Sequence, residues 1–145
     1  MTFQKVRDFH NQILDFTQIL VAPAFLFTRL YIANVFFKSG LTKLRDWEST
    51  LMLFEYEYEV PVLSFEVAAW LATAGELILP VLLVLGLFTR LSAVGLFIVN
   101  AVAVISLVEI APAAFNEHVL WGSLIVMLIL MGAQRFSLDR KLNIT

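Results

Sequence analysis

Apolar residues fall in four long runs, at 21–44, 62–88, 91–110 and 119–133, separated by short polar connectors. About 20 apolar residues suffice for an α-helix to cross the hydrocarbon core of a bilayer, so the runs read as four membrane spans. Ahead of them, Phe3, Val6, Phe9, Ile13, Phe16 and Leu20 recur at spacings of three and four. That period predicts an amphipathic helix over residues 3–20, lying in the membrane interface. In the connector 45–60, Trp47, Leu51, Phe54 and Tyr58 recur at helical spacing behind Asp46, a good N-cap. The segment Phe54 to Glu59 also alternates apolar and acidic, which suits a short extended stretch, and Pro61 ends either form. The pattern predicts an all-α integral membrane four-helix bundle, one domain over 1–145, with an interfacial N-terminal helix.

Composition agrees. The chain is 60% hydrophobic and 15% charged, whereas soluble domains carry about 25% charged residues. It has no cysteine, which excludes disulfides and thiolate chemistry within the chain. The net charge of −2 comes without a basic patch, so the expected partner is the lipid bilayer and not a nucleic acid. Four spans put both termini on one side, together with Lys5, Arg7, Arg90, Arg135, Arg140 and Lys141; the other side holds Lys43 and Arg45. Excess Lys and Arg marks the cytoplasmic side, so both termini are expected there. Glu55, Glu57 and Glu59 then form an acidic outer connector.

Candidate chemistry lies inside the spans. Glu76 sits mid-run, and an ionisable group at that depth costs several kcal/mol unless partnered. Pro80, four residues on, cannot donate to the Glu76 carbonyl. Counted along the helices, Arg29 lies roughly 12 Å from the cytoplasmic ends, Glu76 roughly 18 Å and Asn100 roughly 14 Å. The three are therefore expected to form an intramembrane polar cluster, either a structural ion pair with an amide partner or a proton or quinone-headgroup site. Lys38, Glu66 and Glu109 form a second, outer layer that either snorkels to the interface or lines a vestibule for cations. His118 beside Glu117 lacks the companion ligands of a metal site, so no metal is expected. No nucleophile–base pair, phosphate loop, or haem or flavin fingerprint is present, and no catalytic residue is assigned.

Arg29-Leu30-Tyr31, Phe36-Phe37-Lys38-Ser39-Gly40 and Lys43-Leu44 resemble the first helix of the DoxX family; Glu76 and Gly86-Leu87-Phe88-Thr89-Arg90 resemble its second helix and the turn after it. The resemblance runs over roughly residues 25–135 and implies a small four-helix protein of the bacterial inner membrane. Phe54-Glu55-Tyr56-Glu57-Tyr58-x-Val60-Pro61, His118-x-x-Trp121-Gly122 and Ser137-Leu138-Asp139 resemble a branch found beside enzymes that modify small metal-stress peptides. That branch implies an accessory protein supporting a metal- or redox-stress pathway through a protein or peptide partner. The family at large implies an alternative, a quinone-interacting subunit of a thiosulfate:quinone-type oxidoreductase. The intramembrane charges permit a third reading, a small transporter, for which four spans would need a homo-oligomer.

Overall fold

The computed structural model describes residues 3–132 and 135–144. The described residues form six helices: α1 (Phe3–Arg45), α2 (Trp47–Tyr56), α3 (Phe65–Leu85), α4 (Thr89–Ser106), α5 (Pro112–Met131) and α6 (Leu138–Leu142). Four of them, α1, α3, α4 and α5, are long and apolar enough to cross a membrane.

The burial pattern is that of a protein in lipid. Large apolar side chains such as Trp70, Leu71, Ile78, Ile98 and Leu130 point outward, while Arg29, Thr73, Glu76, Ser92 and Asn100 are buried between helices. Helices in lipid gain little by hiding apolar groups from each other, so close packing and interhelical hydrogen bonds hold them. Small residues let the backbones approach. Ala33 on α1, Ala68 and Ala69 on α3, and Ala93 on α4 are all buried. At Gly40 a β-carbon would stand 2.9 Å from the Leu77 side chain and 3.1 Å from Cβ of Glu76. α1 packs along α3, α3 along α4, and α4 along α5. The main core is Phe25, Ile32 and Phe36 with Leu83, Ala93, Leu96, Ile125 and Leu128. A second cluster seats α2 on the start of α3 through Phe54, Ala68 and Ala69.

Element ends differ from expectation at three places. No break separates an interfacial helix from the first span: α1 is one helix of 43 residues, with Pro23 in its interior. Proline removes one backbone hydrogen bond there, but no turn residues flank it to end the helix. At 1.5 Å per residue α1 is roughly 64 Å long, about twice the hydrocarbon thickness. Among the α1 residues whose burial is described, Phe25 is the first to be buried, so the arm before it extends beyond the bundle. Second, α5 starts at Pro112, seven residues before the fourth apolar run, inside the connector expected between residues 110 and 119. Proline at the first helical position loses no bond and is pre-set for helical φ. Third, the chain leaves the helix at Glu57, the αR C-cap of α2, and becomes extended at Tyr58. Tyr58 forms an isolated antiparallel bridge with Leu107, with Glu59 N donating to the Ser106 carbonyl at 2.7 Å. Both forms expected of this connector thus occur, one after the other.

Candidate functional site

The expected cluster of Arg29, Glu76 and Asn100 does not form. Each of the three has its own partners, at separate places in the bundle.

Arg29 closes the end where α3 turns into α4. It is 1% exposed, and its Nε donates to the Leu83 carbonyl at 2.9 Å, Nη2 to Val84 at 2.8 Å and Nη1 to Phe136 at 2.8 Å. The last carbonyls of a helix have no partner within it and carry the negative end of its dipole. A guanidinium, with donors fixed in a fork, satisfies several at once. Beside it Asp139 performs the converse task at the start of α4, accepting from Phe88 N and Thr89 N at 2.7 Å each. Burial opposes its ionisation, but the Thr89 and Phe88 hydrogen bonds and the Arg29 charge hold the carboxyl below its ordinary value. Gly86 makes the turn in the left-handed region at φ 66°, and its carbonyl accepts from Asp139 N. A β-carbon there would stand 2.6 Å from Nη2 of Arg29. The sequence depth estimate failed here because Arg29 reaches back to free carbonyls at the helix end and not inward to a carboxylate.

Glu76 pairs with Lys43. Nζ lies 2.6 Å from Oε2 of Glu76 and donates also to Ser39 Oγ at 3.0 Å. The Lys43 and Glu76 side chains are 14% and 9% exposed, so this is a buried ion pair with one open side. Both residues line a cavity of about 190 Å³, with Tyr58, Leu71, Val99 and Val102 also among its walls. Burial, then the charges of Glu76 and Glu57, push the Tyr58 phenol up, so it stays a neutral hydroxyl. The site therefore offers an ammonium, a carboxylate and a nearby phenol in an apolar pocket that four elements enclose. Pro80 lies inside α3 as expected, four residues beyond Glu76.

Sequence reading placed Lys43 among the outer cations and missed this role. The signal was available. Arg29, Phe36 and Lys43 are seven residues apart, hence on one face of α1, and Phe36 is core.

Asn100 joins α4 to α5. Its Nδ2 donates to the His118 carbonyl at 3.0 Å, and its Oδ1 lies 2.8 Å from His118 Nδ1. Trp121 meets the His118 ring edge-on, with centroids 4.9 Å apart. The outer layer is not a cluster either. Lys38, Glu66 and Glu109 are exposed, and no ion pair joins them among the described residues. Long side chains near helix ends that stay in contact with the interface need no partner. Glu55, Glu57 and Glu59 are exposed beside the cavity-lining Phe54, Tyr58 and Val60. Among the described residues, no group of three His, Asp or Glu is arranged to hold a metal ion.

These features define a multi-pass helical membrane protein with charged groups buried between its spans. The chain belongs to the DoxX family, whose model matches residues 24–109. It is similar to an uncharacterized protein of Haemophilus influenzae, 29% identical over 123 residues that cover 79% of this chain and 80% of that protein. No solved structure matches.

Proposed function

We propose that this protein is an accessory component of a redox- or metal-stress pathway, and that its working part is the Lys43–Glu76 pocket. The ligand class we infer is a lipophilic quinone. The observation that carries this reading is an ion pair lining an apolar cavity within a membrane bundle. A quinone needs apolar walls for its ring and tail, and polar groups for its carbonyl oxygens. Lys43 is placed to donate to one carbonyl, and the Tyr58 hydroxyl is a second donor in the same pocket. Glu76 holds the ammonium in position and can accept a proton from a reduced headgroup. The quinone would supply the electron chemistry, and an associated protein would supply or receive the electrons.

The site lies in the bundle half that includes α2, away from Arg90, Arg140 and Lys141, which are exposed at the other end. Turning Lys43 inward strengthens the Lys/Arg asymmetry that supports cytoplasmic termini and a pocket in the outer half of a bacterial inner membrane. A direct test is titration of a short-chain quinone into the purified protein in nanodiscs, followed by quenching of the paired Trp47 and Trp70, whose rings are 4.3 Å apart. Saturable quenching, lost in Lys43→Met, supports the reading; equal quenching in both proteins rejects it.

One observation favours a second reading, in which the outer face receives a cationic peptide or metal-binding partner. Glu55, Glu57 and Glu59 are all exposed there, and clustered charge of one sign draws opposite charge. Deleting the gene and challenging cells with copper tests it. Lower tolerance, restored by the wild-type chain but not by a Glu55→Gln, Glu57→Gln, Glu59→Gln variant, is the expected outcome.

A further inference from the structure

α1 has a second seam that the bundle does not use. Starting at Val6 and stepping alternately three and four residues, the chain reads Val6, Phe9, Ile13, Phe16, Leu20, Pro23, then Phe27, Leu30, Asn34, Phe37, Leu41, Leu44. These are the a and d positions of six uninterrupted heptads, and eleven of the twelve are apolar. Every one of them is exposed. The face that packs into the bundle, through Phe25, Arg29, Ile32, Phe36 and Lys43, is the opposite one. In the arm, the remaining faces carry Gln4, Lys5, Arg7, Asp8, Asn11 and Gln18 together with the exposed apolar Leu14 and Ile19.

A lone apolar stripe would be satisfied by lipid. Two observations are not. The seam runs through Pro23 from the arm, beyond the bundle, into the spanning half, so a helix lying flat on the membrane accounts for only its first part. And Asn34 stands exposed in the spanning half, with no hydrogen-bond partner for its side chain among the described residues. It lies in a groove formed by Leu30, Asn34 and Phe37 of α1 with Pro80, Val81 and Val84 of α3. An amide facing hydrocarbon is costly, and one asparagine at an a position is a known device for fixing register and a two-stranded state.

We infer that α1 is a homodimer interface, a parallel coiled coil running from the N-terminal arm through the membrane, with the two Asn34 amides hydrogen-bonded to each other. The partner is a second copy of this chain. Two copies inserted in the same orientation present identical seams in the same direction, and a two-fold axis along the helices brings Asn34 opposite Asn34 at equal depth. A strict seven-residue repeat winds such a pair left-handed, which keeps the seam in contact along its length. Six heptads with their flanking positions, less Ala33 and Gly40, supply about 22 residues a side, within the range of about 20–30 that stable interfaces use. The flanking pairs Lys5 with His10, Gln12 with Thr17, and Ala33 with Lys38 oppose no two fixed like charges. In the spanning half, Ala33 and Gly40 are covered by α3, so the second helix rests against α1 and the α3 groove together.

The chain has no cysteine, so single-cysteine variants of the full-length protein report on the seam without background. Val6→Cys, Leu20→Cys and Phe27→Cys in native membranes are expected to form disulfide-linked dimers on mild oxidation, while Asn11→Cys and Gln18→Cys, on the far face, stay monomeric. Wild-type protein in nanodiscs is expected at the mass of two chains. Ile13→Glu with Leu20→Glu, placed in the arm outside the folded bundle, is expected to shift that mass to one chain with the four spans intact. Cross-linking equal at all five positions, or absent from all, overturns the proposal. So does a wild-type monomer, or a dimer that survives the double glutamate variant. Spin labels at Val6 and Phe16 that sit in lipid, without any dimer, would assign the arm to the membrane surface and equally overturn it.

Discussion

Two cations enter the bundle from the same face of α1, fourteen residues apart, and meet different surroundings. Arg29 reaches two carbonyls at the end of α3 and that of Phe136; its side chain is sealed, and each of these hydrogen bonds is to backbone. Lys43 meets a carboxylate on the side of α3 and keeps one face on a cavity. A guanidinium whose donors are consumed by helix ends has little left to offer a ligand. An ammonium with a carboxylate partner in an open pocket keeps donor capacity and a proton acceptor beside it. A charge buried in a membrane protein is thus assigned by what it touches: backbone contacts indicate architecture, and side-chain pairs facing a cavity indicate chemistry.

The largest effect is expected where the architecture is broken. Arg29→Met strips three carbonyls of charge-assisted donors and leaves Asp139 without its neighbouring cation, at a cost of about 3–5 kcal/mol. The protein should accumulate poorly or melt well below wild type in detergent, as followed by helical circular dichroism. An unchanged melting temperature would remove the distinction between the two ends.

At the pocket, Lys43→Met and Glu76→Gln should each destabilise by about 1–3 kcal/mol, and the double variant should be less damaged than their sum, since each single variant leaves a buried polar partner. Additive losses would mean the pair is not coupled.

A smaller effect with a pH signature is expected at Asp139. Its folded-state value is lowered, so the ionised carboxylate stabilises the fold at pH above the ordinary carboxylate value of about 3.9. That contribution is lost as pH falls through the folded value. Asp139→Asn should therefore melt lower than wild type near neutrality, by about 1 kcal/mol in stability, with the gap closing in acid. The smallest effect belongs to Glu57→Gln, an exposed side chain, within about 0.5 kcal/mol of wild type.

The four helices were legible because membrane thickness imposes run length directly on the sequence, and the helical N-cap at Asp46 was read from its type and place; its carboxylate accepts from Ser49 N at 3.0 Å. Pairing was not legible. Depth was counted from a first span starting at residue 21, yet α1 runs on from Phe3 and Arg29 lies level with the end of α3, so Glu76 meets Lys43, fourteen residues further along α1. Asn100 was expected beside Arg29 and Glu76 and bonds His118 instead; the fourth run was expected to start at residue 119, which left His118 outside it. With α5 beginning at Pro112, His118 lies in its second turn, level with Asn100. The continuity of α1 was hidden by Pro23, which reads as a helix start and is tolerated inside one.

The most direct test sets the two ends side by side in one experiment. Short-chain quinone binding and thermal stability are measured together for wild type, Asp139→Asn and Lys43→Met in nanodiscs. The expected result is that both variants stay folded with lowered melting temperatures, that Asp139→Asn binds like wild type, and that Lys43→Met loses saturable binding. If Lys43→Met binds as well as wild type, or if both variants lose stability and binding in parallel, the division between a structural end and a ligand-binding pocket is wrong.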